Sequence, residues 1–148
     1  MSVFFSRQCE YALQAVLYLA LKPQGERSSI KELTARLDIP YHFLAKILQD
    51  LTRKGLLASM KGPTGGFTLG RSPEHITLFD IVAAIDGTAF VDHCILGFSD
   101  CSNESPCPVH KKWAVLRDRM RVMLLSRNIA RMAEETRKLP YTTASRNR

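Results

Sequence analysis

Three of the four cysteines, Cys94, Cys101 and Cys107, fall within one segment running from His93 to His110, with the spacing C-x6-C-x5-C. Gly97, Ser99, Asp100, Ser102, Asn103, Ser105, Pro106 and Pro108 lie between and beside them, a composition that favours turns over helix or strand. A loop can turn three thiols toward one point. Thiolates are soft ligands, and three of them with a nearby histidine or carboxylate suit an iron-sulfur cluster or zinc rather than magnesium or calcium. The intervals exceed the two-to-four-residue knuckles usual in structural zinc sites, which leaves zinc as the second choice. A thiol redox switch is the third. Cys9 stands apart in an apolar stretch and is expected to behave as a small buried side chain.

Other chemistries find little here. No Ser/His/Asp arrangement, carboxylate pair or HExxH pattern is present, and the glycines at 62–66 precede a strand and lack the Walker ending, so neither an enzyme nor a small-molecule substrate is expected. The chain of 148 residues carries a net charge of +7, which favours a polyanionic partner. Its mean hydropathy is -0.10 and no apolar run approaches the ~18 residues of a membrane span. The opening Met1–Arg7 has no secretory pattern, so a cytoplasmic, reducing location without disulfides and without a membrane partner is expected.

These groups need elements to position them. Ser6 to Leu21 reads as a helix apolar nearly all round, which must be covered on most sides, here by the domain core and a partner subunit. Ser29 and Glu32 have the spacing of a capping box opening a short helix with Ile30, Leu33 and Leu37 on one face. Pro40 breaks it. A second helix runs from Tyr41 to about Lys54, with Leu44, Ile47, Leu48 and Leu51 inward and Tyr41, His42, Ala45, Lys46, Gln49 and Arg53 outward. Two short helices joined by a tight turn form a helix-turn-helix, and the outward face offers base-edge donors and phosphate contacts. Leu56–Met60 and Phe67–Leu69 flank a glycine-rich tip, Lys61-Gly62-Pro63-Thr64-Gly65-Gly66, which makes a β-hairpin wing. Lys61, Gly62, Thr64 and Gly65 are then placed to approach the sugar-phosphate backbone.

Thr77 and Asp80 cap a further helix from Leu78 to Asp86. After the cysteine loop, Val109, Trp113, Leu116, Met120 and Met123 recur in steps of four and three, a seam that would join two copies of a long helix. A short helix from Ile129 to about Thr136 follows, and the tail from Pro140 lacks core residues. The expected fold is therefore mainly α with a small β-hairpin wing. Its parts are a winged helix-turn-helix domain at 1–88, a cysteine loop at 89–108, a dimerisation helix with its short successor at 109–138, and a tail at 139–148.

In the order Glu10-Tyr-Ala-Leu13, Gly55-Leu-Leu57, Lys61-Gly-Pro-Thr-Gly-Gly-Phe67 and the cysteine trio before a long helix, the chain resembles the IscR and NsrR group of bacterial winged-helix regulators. The resemblance implies a homodimeric repressor or activator that binds a double-stranded DNA operator under control of an iron-sulfur cluster sensing redox state, nitric oxide or iron status. It implies that Cys94, Cys101 and Cys107 hold the cluster, of two irons or four, and that air can strip it from a purified sample. His110 matches the histidine ligand of the cluster-biogenesis branch. Glu10 matches the acidic ligand that the nitric-oxide-sensing branch contributes from the other subunit. Asp92 and His93 rank below both. The first cysteine interval is six residues where five is usual in the group, and His42 and Ala45 stand where the cluster-biogenesis regulator has serine and glutamate, which implies a different operator. Members without the trio exist, so a cluster-free regulator is an alternative. An electron-transfer or cluster-carrier protein is a distant one, because it leaves the wing and the polar helix face without a role.

Overall fold

The computed structural model describes residues 4–138. Helix α1 spans Arg7–Leu21. Ser6 begins it as N-cap, its hydroxyl accepting from the Cys9 amide at 3.0 Å, and the Lys22-Pro23 step ends it. Cys9, Ala12, Ala15, Val16 and Leu19 recur at helical spacing and form its fully buried face. Helix α2 (Ile30–Leu37) and helix α3 (Tyr41–Arg53) pack on it through Leu33, Leu37, Leu44, Ile47, Leu48 and Leu51, all buried in one continuous core. Asp38, at φ 54°, makes the left-handed turn between them, and Pro40 supplies the fixed φ that starts α3.

One local expectation is corrected. Ser29 does accept from the Glu32 amide at 3.1 Å, but the capping box is only half made. The Glu32 carboxylate turns instead to Lys22 Nζ at 2.7 Å and the Tyr18 hydroxyl at 2.8 Å. A charge-assisted contact that ties α2 to α1 displaces the weaker reach back to the cap. The Lys22 ammonium correspondingly holds the Glu32 carboxyl below its ordinary value.

The wing consists of β1 (Leu57–Met60) and β2 (Gly66–Leu69), antiparallel, with Leu57 opposite Leu69 and Met60 opposite Gly66. Its base is anchored by a bridge from the segment before α2. The Ser28 amide donates to the Phe67 carbonyl at 3.0 Å, and the Ser28 carbonyl accepts in return from the Phe67 amide at 2.8 Å. The backbone at Gly66 passes so close that a Cβ there would lie 2.6 Å from the Ser28 carbonyl oxygen, and its φ is 139°. Only glycine meets both conditions.

A 3-10 turn at Pro73–His75 leads to α4 (Leu78–Ile85). Here the capping box is complete, with Thr77 accepting from the Asp80 amide at 3.1 Å and Asp80 from the Thr77 amide at 2.9 Å. One extra turn, α5 (Ala89–Asp92), precedes the cysteine loop. Helix α6 runs from His110 to Ser126 and packs on α4 and α5. Helix α7 (Ile129–Arg137) returns to lie along α1, with Ile129 in the main core and Asn128 bridging back to Thr77.

Within the chain, α7, α4, α3, α2 and β2 pack on the buried face of α1, while Tyr11, Leu13, Leu17 and Tyr18 stay half-buried. The reading of a tail at 139–148 lies outside the described residues. Among those described, no helix is long and apolar enough to cross a membrane.

Candidate cluster site and nucleic-acid interface

The loop between α5 and α6 brings its three cysteines together. Their Sγ atoms all lie within 4.8 Å of one another, with Cys94 and Cys107 3.7 Å apart. The start of the loop is tied to α6, and its end runs directly into that helix. The Trp113 indole donates to the His93 carbonyl at 2.9 Å, and the Arg121 guanidinium reaches the Val91 carbonyl at 2.8 Å and the Asp92 carboxylate at 3.2 Å. The Cys107 amide donates to Cys101 Sγ at 3.4 Å. His110, the first residue of α6, places Nδ1 3.2 Å from Cys101 Sγ and Nε2 2.9 Å from Asn103 Oδ1.

These residues border a cavity of about 230 Å³ lined by Asp92, Cys94, Cys101, Ser102, Asn103, His110 and Arg117. Two features of its wall suit a metal-thiolate group, a thiol drawn toward its anionic form and a guanidinium nitrogen without an acceptor. Burial works against the Cys94 thiolate, but the Phe98 and Leu96 amides and the other two thiols outweigh it and bring the group down to about 7. Arg117 Nε is buried and has no acceptor among the described residues. A buried donor without an acceptor costs about 1–3 kcal/mol, and a negatively charged metal-thiolate group bound beside it would supply the missing partner's charge. Three convergent sulfurs, a histidine nitrogen and a neighbouring guanidinium are a donor set that fits an iron-sulfur cluster. Cys101 differs from Cys94. The Cys107 amide favours its thiolate, yet burial and its two thiol neighbours together raise it.

Of the sequence-derived ligands, Cys94, Cys101, Cys107 and His110 therefore lie together. Glu10 lies on α1, where its charge, after burial and Asp86, helps push the fully buried Cys9 thiol up to about 12. Asn103 and Arg117 escaped the sequence reading. Asn103 looked like another turn residue, and Arg117 sits at a helix position whose inward facing depends on where α5 and the loop lie.

Helix α3 shows His42, Lys46, Gln49 and Arg53 to solvent, with Tyr41 at the helix start half-exposed and Ala45 less exposed. Arg53 is paired with Asp50 one turn back. Lys61, Gly62 and Thr64 are exposed at the wing tip and Gly65 is half-buried. Gln49, Arg53 and Lys61 share the walls of a groove of about 640 Å³ between α3 and the wing, to which Thr52, Ser59, Met60 and Phe67 also contribute. Phe43 is a further exposed apolar side chain on α3, at 53%. Its signal was its position outside the Leu44/Ile47/Leu48/Leu51 face.

The seam read on α6 divides. Trp113 and Met120 turn toward their own chain, while Val109, Leu116 and Met123 are exposed. Val115 and Val122 join that outer face, and only Leu124 is fully buried on the whole helix. The inward positions were taken by α4 and α5, whose place the heptad pattern does not encode.

Residues 5–135 match the Rrf2 family, described as iron-dependent transcriptional regulators. A protein of Aquifex aeolicus (strain VF5) named as a candidate HTH-type transcriptional regulator is 36% identical over 120 residues, covering 80% of this chain and 83% of that protein. Among solved structures, CymR, the global cysteine regulator of B. subtilis, superposes with a TM-score of 0.78 at 24% identity over 90% of this chain and 98% of that one. The IscR of T. potens gives 0.73 at 23% identity over 96% and 93%. At these identities the two structures speak for the winged-helix fold, and the sequence match speaks for the family.

Proposed function

The chain belongs to the Rrf2 family of transcriptional regulators, and from that premise we propose that it is a homodimeric operator-binding protein controlled by an iron-sulfur cluster. Cys94, Cys101 and Cys107 are its thiolate ligands and His110 is the fourth. One observation carries the reading: three sulfurs within 4.8 Å of one another, His110 Nδ1 3.2 Å from one of them, and an unpartnered Arg117 Nε on the same cavity wall. When bound, the cluster supplies a redox couple and an iron open to small oxidants.

The chain's own residues define how the loop reaches DNA. Trp113 and Arg121 fasten its start to α6, α6 packs on α4, and α4 packs on both α1 and α3. Asp86, just past α4, accepts from the Ser6 amide at 2.8 Å and from the Ser6 hydroxyl, so the end of α4 also holds the start of α1. A rearranged loop thereby shifts α3 relative to the exposed α6 face on which two protomers meet. Half-sites about one helical turn apart tolerate little error in that spacing. Within each half-site, α3 enters the major groove with Tyr41, His42, Ala45, Lys46, Gln49 and Arg53, while Lys61, Gly62, Thr64 and Gly65 of the wing follow the backbone.

Protein purified without oxygen tests the reading. Iron and sulfide in matched amounts with visible charge-transfer bands are expected, and both are lost in a Cys94→Ala, Cys101→Ala, Cys107→Ala chain. His110→Ala is expected to weaken the cluster more than Glu10→Ala. A colourless protein carrying zinc would replace the cluster by a metal-thiolate switch. A triple variant that binds every operator as the loaded protein does would sink the control mechanism.

A further inference from the structure

The His110 ring is engaged at both nitrogens, and the two contacts differ in kind. Nε2 stands 2.9 Å from Asn103 Oδ1 and Nδ1 stands 3.2 Å from Cys101 Sγ. A carbonyl oxygen only accepts, so the proton on that contact belongs to Nε2. A neutral imidazole has one N–H, and Nδ1 is left with a bare lone pair directed at the thiol group. Asn103 is itself held in place. It follows Ser102 in a turn closed twice, by the Ser102 amide donating to the Ser105 carbonyl at 3.2 Å and the Ser105 amide donating to the Ser102 hydroxyl at 3.1 Å. The other side is equally fixed, since His110 begins α6 and its amide donates to the Cys107 carbonyl at 3.1 Å.

We propose that Asn103 is a positioning residue that selects the Nε2–H tautomer of His110 and presents Nδ1 as the ligand atom. The ligand part of this rests on the reading of His110 given above; the tautomer does not. Histidine ligands commonly donate their second N–H to an outer acceptor, which orients the ring and raises its basicity. Here the acceptor is a neutral amide carried by the cysteine loop rather than by the scaffold. Any displacement of the Cys101–Cys107 segment consequently withdraws the acceptor and two of the thiols together.

The test uses the full chain with 15N-labelled histidine. In the metal-free, reduced protein, under conditions where the imidazole is neutral, long-range proton-nitrogen correlation is expected to show His110 protonated at Nε2. Asn103→Leu is expected to shift the ring toward a tautomer mixture. After anaerobic reconstitution that variant should release iron to a chelator about 10–100-fold faster than wild type, the usual cost of losing such an outer partner. Asn103→Asp keeps an acceptor and should release it no faster than wild type. A wild-type ring protonated at Nδ1, or an Asn103→Leu chain with unchanged tautomer and unchanged release, overturns the role of Asn103. A His110→Ala chain that retains iron as long as wild type overturns the ligand role and leaves the tautomer result to stand or fall alone.

Discussion

Cys9 and Cys94 show how one side chain acquires opposite properties. Cys9 is sealed in the core beside Asp86 and Glu10, and burial first, then those two carboxylates, push its thiol from 9.0 to about 12. The folded value lies above the unfolded one, so its contribution to stability is whole below about pH 9 and is lost as pH rises toward about 12. Denaturant titrations should therefore find that Cys9→Ala lacks part of the alkaline loss seen in wild type; identical slopes would show that the thiol is not sealed. On the proposed DNA face the residues are expected to separate by role. Lys61→Ala should weaken binding about equally on all sequences and lower the salt slope by about 1. Gln49→Ala should cost about 1–3 kcal/mol on the operator and relax preference at one base pair. Fluorescence anisotropy at several salt concentrations distinguishes them, and a sequence-selective loss in Lys61→Ala would contradict the wing assignment. The three convergent cysteines were legible from residue type and interval. Asn103 and Arg117 were not, because nothing in an asparagine of a turn or an arginine of a polar helix says which neighbour it will face.

Helix α4 is the element that joins the DNA-binding half to the cysteine loop, and its start depends on a complete capping box. Thr77→Ala should cost about 1 kcal/mol of stability through the lost cap, measured by denaturation, with Asp80→Ala adding less than its single effect because the two bonds form a unit. Additive costs would mean that the box is not cooperative. The wing makes a sharper demand. Gly66→Ala puts a Cβ 2.6 Å from the Ser28 carbonyl at a φ of 139° and should detach the wing base from the segment before α2. The expected result is lost operator affinity with the helical content kept, read by circular dichroism beside a binding assay; unaltered affinity would show that the wing base tolerates the side chain. Helices α1 to α4, α6 and α7 were legible from periodicity and caps to within a residue or two at their ends. The single turn α5 was not, since four residues carry no period. Ser29 and Glu32 had a capping-box spacing, but Lys22 and Tyr18 offered Glu32 stronger partners across the helix pair.

At the scale of the whole molecule, the outer face of α6 is the surface on which the proposed dimer would form. Val115, Leu116, Val122 and Met123 are exposed together on a helix with one fully buried residue, an apolar surface of the kind that marks an interface. Leu116→Lys with Val122→Lys should convert a dimer to a monomer in sedimentation experiments and reduce affinity for a two-half-site operator while sparing the fold. A dimer that persists would move the interface elsewhere. The sequence by itself determined the winged helix-turn-helix, the buried faces of α2 and α3 and the three cysteines, because these depend on local spacing, caps and residue chemistry. Tertiary structure alone decided that α7 covers α1, that Trp113 and Met120 serve their own chain while Leu116 and Met123 face outward, and that Asn103 and Arg117 line the cysteine cavity. Those outcomes depend on which elements meet across long stretches of chain, and periodicity fixes a helix's apolar side without naming what will lie against it.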